Sequence, residues 1–163
     1  MKKIKVFLCI SFFLISIFSI NLNARATSIN FSFYTYNGKK YQLSDFKNKY
    51  ILLNLFVSYC PPCIVELGIL NKVYENCDTS KLQIIALMMD KSGEPLLPKI
   101  VSDRKIKYLV GIAPKEIFKH FPDFSITPTT YILDTSGKRI EKITGYMNYK
   151  QWIIKISKYV KCN

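Results

Sequence analysis

The stretch YILLNLFVSYCPPCIVEL, residues 50–67, decides how the rest of the chain is read. Its first eight residues are almost wholly apolar, as in a central strand buried on both faces. Cys60 and Cys63 follow, with only Pro61 and Pro62 between them. Proline suits the first position of a helix, where its missing N–H would have no partner. The stretch therefore predicts a strand, a turn and a helix to about residue 76, with Ile64, Leu67, Leu70 and Tyr74 on one apolar stripe. Cys60 falls at the helix N-cap, where the helix end stabilises a thiolate, and Cys63 lies one turn on, protected and within reach.

Three chemistries compete for such a pair. A structural zinc site needs four ligands. His120 is the single histidine, and Cys9, Cys77 and Cys162 each stand alone, so no metal is expected. A Cys–His nucleophile would need His120 beside Cys60, but nothing in the sequence places it there and it reads as a surface helix residue. Simple packing does not explain prolines at both intervening positions. Dithiol–disulfide exchange has a mechanism: Cys60 attacks a partner's disulfide and Cys63 resolves the mixed disulfide. It needs no cofactor.

Outward from the motif, residues 29–36 alternate like a strand, Asn37-Gly38 is a hairpin turn, and residues 40–43 return. Ser44-Asp45 opens a short turn or helix ending near Asn48. Residues 82–88 read as a second buried strand, 94–104 as a helix, 106–110 as a short strand and 114–120 as another helix. A hairpin over 131–133 and 139–144 turns at 134–137, and residues 148–160 close the chain as an amphipathic helix. This order predicts an α/β layered sheet.

A chain of 163 residues is one domain, and 49% hydrophobic content is ample for a core, which excludes disorder. Lys2, Lys3 and Lys5 precede the uncharged run 6–20, and Ala24-Arg25-Ala26 supplies an Ala-x-Ala site. Residues 1–26 are expected to be a cleaved export signal, with an uncleaved membrane anchor as the alternative. Residues 27–163 then form a domain outside the cytoplasm, in the periplasm. Cys9 lies inside the apolar run, so it does not read as a lipid-attachment cysteine. The formal charge of +13 falls to +9 without the four basic residues of that segment. The remaining lysines are scattered, which reads as a solvated basic surface and not as a nucleic-acid site.

Several motifs together resemble the thioredoxin-like superfamily, and more closely its exported TlpA/ResA-type branch. They are Tyr36-Asn-Gly-Lys with Leu43-Ser-Asp-Phe-Lys-Asn-Lys, Leu52-Leu-Asn-Leu-Phe-Val-Ser-Tyr-Cys-Pro-Pro-Cys, and Thr127-Pro-Thr-Thr-Tyr-Ile-Leu-Asp-Thr-Ser-Gly-Lys with Gly145 after it. The resemblance implies a three-layer α/β/α fold with a central mixed sheet and an added N-terminal β-hairpin. It implies a cis Pro128 facing the cysteines, with Tyr59, Pro61, Thr127 and Pro128 contacting substrate. Asn54 lies where cytoplasmic thioredoxins have a buried Asp. Glu66 matches an acidic residue of the branch, catalytic if it takes the proton of Cys63, or else an exposed helix residue. Tyr59 departs from the usual Trp, and Gly68 stands where Pro is common. In such a fold the ends carrying Cys77 and Cys162 are neighbours, which implies a structural disulfide between them.

Pro61 and Pro62 remove two N–H groups that could face the Cys60 sulfur, no cation lies inside the motif, and Glu66 adds negative charge. Each disfavours a strongly depressed thiol pKa. The expectation is a monomeric disulfide reductase of exported proteins, linked by the resemblance to cytochrome c maturation and recharged by a membrane electron donor. An oxidant or isomerase of folding proteins, or a thiol-based Cu(I) carrier, is the alternative.

Overall fold

The computed structural model describes residues 28–163; the expected export segment 1–26, with Cys9, lies outside the described residues. Seven strands make one sheet: β1 (Ser32–Thr35), β2 (Lys40–Gln42), β3 (Tyr50–Phe56), β4 (Leu82–Met88), β5 (Leu109–Ile112), β6 (Thr129–Leu133) and β7 (Arg139–Thr144). Their order across the sheet is β2-β1-β5-β4-β3-β6-β7. β3, β4 and β5 run parallel, and β6, β7 and the N-terminal hairpin are antiparallel to their neighbours. The sheet is therefore mixed, with the β1–β2 hairpin added at one edge.

Helices cover both faces. α1 (Pro61–Asn76), α2 (Leu97–Asp103) and α4 (Tyr149–Ile156) pack on the face of Leu52, Phe56, Ile84 and Ile132. α3 (Ile117–His120) and Leu43, in the 3-10 turn Leu43–Phe46, cover Leu53, Leu55, Ile85 and Tyr131 on the other. Alternation along β3 divides Leu52, Asn54 and Phe56 from Leu53 and Leu55, so Asn54 faces α1.

The edges of several elements differ from the sequence reading. The stripe of α1 is rotated: Cys63, Glu66, Leu67, Leu70 and Val73 are buried, whereas Ile64 and Tyr74 are only partly covered. The strand expected at 106–110 begins at Leu109. Lys105 takes a left-handed φ of 50°, Ile106 N–H bonds Val101 O, and Asn71 Oδ1 holds Lys107 N–H at 2.8 Å. These bonds keep residues 105–107 out of the sheet. Gly111 then lies in β5, where an added Cβ would be 2.1 Å from Tyr34 O. Only glycine lets β1 approach there. The segment read as a helix over 94–104 starts as a 3-10 turn, Lys91–Leu96, and becomes α-helical where Pro98 sits in the first turn of α2. The helix expected over 114–120 is shortened to α3, and the one expected to reach residue 160 ends at Ile156.

Candidate active site

β3 delivers the chain to a short loop held by one carboxylate. Asp90 Oδ1 accepts Ser58 N–H at 2.8 Å, and Asp90 Oδ2 accepts the Ser58 hydroxyl at 2.6 Å. The loop turns at Cys60, whose N–H bonds Val57 O, and α1 begins at Pro61. Cys60 is the N-cap, and Cys63 N–H points at its sulfur at 3.3 Å. The two cysteines are joined by a disulfide, with S–S 2.10 Å and Cα atoms 5.3 Å apart. Cys63 is fully buried and Cys60 half-buried, so a partner can approach only through Cys60.

The loop before β6 closes over the pair. The Thr127–Pro128 bond is cis, and Thr127 O lies 3.9 Å from Cys60 Sγ. Pro128 O in turn accepts Gly145 N–H at 2.8 Å. Pro128 is buried and Thr127 half-buried, while Tyr59 (76% exposed) and Pro61 stand at the rim. Ile126 and Tyr146 add exposed apolar surface beside that loop.

Glu66 is not an exposed helix residue. It is wholly buried, one turn along α1 from Cys63. Oε1 accepts Met147 N–H at 2.7 Å and Trp152 Nε1–H at 3.3 Å, and Oε2 accepts from Asn54 Nδ2 at 3.1 Å. Burial pushes its pKa above the ordinary carboxylate range, against the pull of those three donors. Local sequence explains the donors' placement. Gly145, at φ +86°, turns the chain after β7 and leads to Met147 N–H. Asn148 then caps α4 in a reciprocal pair with Gln151, which sets Trp152 one residue on. Nearby, Tyr108 donates its hydroxyl to Leu67 O at 2.9 Å, and burial together with the Glu66 charge keeps its pKa well above the ordinary tyrosine value.

Other singled-out residues lie elsewhere. Cys77 and Cys162 are joined by a disulfide with S–S 2.00 Å at the far end of α1. His120 is half-buried against the Phe31 ring, centroids 5.4 Å apart, on the opposite face of the sheet from Cys63. Gly68 is open enough that a Cβ would meet only Arg104, at 3.7 Å. Trp152, Thr130, Met147 and the Asp90–Ser58 clasp were not legible as site residues. The Asn148–Gln151 capping pair was the available signal for where Trp152 falls.

The AhpC/TSA family profile matches residues 24–142. Thiol-disulfide oxidoreductase ResA of Bacillus thuringiensis subsp. konkukian is 32% identical over 123 residues, covering 75% of this chain and 70% of that protein. The chain belongs to the AhpC/TSA family and is a thiol-disulfide oxidoreductase. Solved structures show where the oxidoreductase stands in fold space. A thioredoxin-family thiol:disulfide interchange protein from Chlorobium tepidum TLS superposes with a TM-score of 0.75 at 22% identity, covering 84% of this chain and 98% of that one. StoA from Bacillus subtilis gives 0.65 at 19%, covering 78% and 96%. The fold of the oxidoreductase is thioredoxin-like.

Proposed function

We propose that this oxidoreductase works outside the cytoplasm, in the periplasm, as a reductase of disulfides in exported proteins, apocytochrome c among them. The observation that carries the direction is the setting of Cys60. Among the described residues Cys63 N–H is its one hydrogen-bond donor, prolines fill positions 61 and 62, and the acidic residue one turn below is a buried Glu. A sulfur with so few donors gains little as a thiolate, so the disulfide is the favoured end state and the dithiol gives up its electrons readily.

Exchange runs through a mixed disulfide between Cys60 and the partner. The Cys60 thiolate attacks one sulfur of the partner's disulfide, and the other sulfur leaves as a thiolate. Glu66 takes the proton of Cys63, whose thiolate attacks Cys60 Sγ and releases the partner's second sulfur. The partner gains two electrons, and the Cys60–Cys63 pair is left oxidised. Tyr59, Pro61, Thr127 and Pro128 hold the partner's segment, with backbone at Thr127 available to pair with an extended strand. A membrane protein that supplies electrons must re-reduce the pair. The N-terminal segment exports the domain or anchors it to the membrane.

Equilibration of the pair with glutathione tests the direction. A potential below about −200 mV supports a reductase, and one near about −120 mV, the range of a strong disulfide oxidant, overturns it. Trapping mixed disulfides with Cys63→Ala in cells identifies the partners.

A further inference from the structure

The groups that hold Glu66 are all donors in the arrangement seen: Met147 N–H, Trp152 Nε1–H and Asn54 Nδ2. They suit a carboxylate, and none can accept a proton that arrives on the carboxyl. Yet a group that exchanges a proton must be accommodated in both states, because a buried O–H left without an acceptor is costly.

Only Asn54 can reverse its role. Its carboxamide carries a donor and an acceptor at the two ends of one planar group, and half a turn about χ2 exchanges them. Its second partner is equally reversible. Asn54 Nδ2 donates to Thr130 Oγ1 at 2.9 Å, and a hydroxyl accepts or donates. The other end, Asn54 Oδ1, is buried with no hydrogen-bond partner among the described residues.

In the orientation seen, the amide makes two hydrogen bonds, to Glu66 Oε2 and to Thr130 Oγ1. After half a turn, Oδ1 would accept from a protonated Glu66 and from the Thr130 hydroxyl, again two. The number of hydrogen bonds is the same in both. The reversed amide places its two N–H groups in the corner that now holds Oδ1, so reversal is favoured only where the carboxylic acid O–H needs an acceptor. We propose that Asn54 is a positioning residue whose carboxamide turns over with Glu66, donating to the carboxylate and accepting from the carboxylic acid.

A carboxylate at position 54 could not do this without a second buried charge, and an aliphatic residue would leave Oε2 without its partner in either state. The titratable groups facing Glu66 are few. Tyr108, which leads into β5, is held neutral by burial, and Cys63 on α1 is closed in the disulfide. Among the described residues no charged side chain shifts the Glu66 pKa. The inference rests on the reading above only in that Glu66 gains and loses a proton during turnover. It is tested in the oxidised protein, where the Cys60–Cys63 thiols are absent, so the two can fail separately.

The experiment is an NMR titration of the isotope-labelled, oxidised full chain, following the Asn54 side-chain amide and the Glu66 carboxyl carbon together. The two resonances are expected to share one midpoint, and the contacts of the Asn54 amide protons with Thr130 and Glu66 to be lost on the acid side. Amide contacts that persist unchanged through the Glu66 midpoint overturn the proposal. Glu66→Gln, which presents a permanent donor, is expected to hold the amide reversed at every pH; an amide left in its present orientation overturns it. Asn54→Leu removes one bond from each protonation state, the one to the carboxylate being the stronger, so the Glu66 proton affinity should rise by no more than a fewfold. A rise of about tenfold or more in proton affinity would instead mark Asn54 as a fixed donor.

Discussion

Trp152 on α4 donates its indole N–H to Oε1 of Glu66 on α1 at 3.3 Å, with both side chains fully buried. This bond ties the active-site helix to the last helix through the single carboxylate beneath Cys63. It also makes the packing of two helices depend on the charge of one residue. Because no cation among the described residues offsets that charge, its consequences can be read by changing pH.

Glu66 has a higher proton affinity in the folded protein than as an ordinary glutamate, with burial the main cause. Such a group adds stability below the ordinary carboxylate pKa, and that contribution is lost as pH rises through the raised folded value. Asp123 and Asp134, whose pKa values are lowered, act in the opposite sense and below the ordinary range. The oxidised protein is therefore expected to lose stability as pH climbs from the ordinary glutamate range toward neutrality. Glu66→Gln should flatten that part of the curve, as measured by urea midpoints at a series of pH values. A variant curve parallel to the parent's would assign the slope to another group.

Trp152→Phe keeps an aromatic ring between the helices but removes the N–H. The smaller ring leaves a cavity whose cost is the same at every pH. The lost bond adds about 1.5–3 kcal/mol where Glu66 is ionised and about 0.5–1.5 kcal/mol where it is neutral. The destabilisation is thus expected to be larger at neutral than at acid pH, and equal losses at both would show that the bond gains nothing from the charge on Glu66.

How much of this arrangement the sequence carried depends on what each residue advertises. β3, α1 and β4 were legible because an apolar run, a proline pair and a second apolar run mark them without tertiary information. Fold class followed from their order. The buried face of α1 was not, because Glu66 and Cys63 do not look like core residues while Ile64 and Tyr74 do; partners on other elements put the glutamate inside. β5 was placed about three residues early because Asn71, on a different helix, captures Lys107 N–H. Met147 contributes a backbone N–H, which no side-chain pattern reveals. Asn54 and Glu66 stood out only through family resemblance, and nothing local joins residues 12 apart on a strand and a helix.

The loop that presents Cys60 offers a third test. An added Cβ on Gly93 would sit 2.5 Å from both Asp90 Oδ2 and Ser58 Oγ, the two atoms of the clasp. Neither can retreat without stretching the Ser58 hydroxyl bond, which leaves only the Ser58 N–H bond to Asp90 Oδ1 in the clasp, two residues from Cys60. Gly93→Ala is expected to cost about 1–3 kcal/mol through overpacking and to slow insulin reduction severalfold with the Cys60–Cys63 disulfide still formed. Unchanged turnover would show that the loop keeps its place without Asp90.

The disulfide at the far end should separate stability from catalysis. Cys77–Cys162 spans 85 residues of sequence, and its neighbours pair as well: Asp78 N–H bonds Lys161 O and Asn163 N–H bonds Asn76 O, each at 2.9 Å. In the chain-entropy account, a closure of that length is worth about 3–5 kcal/mol. Replacing both cysteines with serine is expected to lower stability by that amount while leaving the rate of insulin reduction under native conditions unchanged, because neither sulfur approaches the Thr127 loop. The residues after Ile156 have left the helix, so the two backbone bonds alone would have to hold the tail. A double variant as stable as the parent would mean that they do; a slowed exchange rate would mean that the tail's anchorage reaches Trp152 and, through it, Glu66.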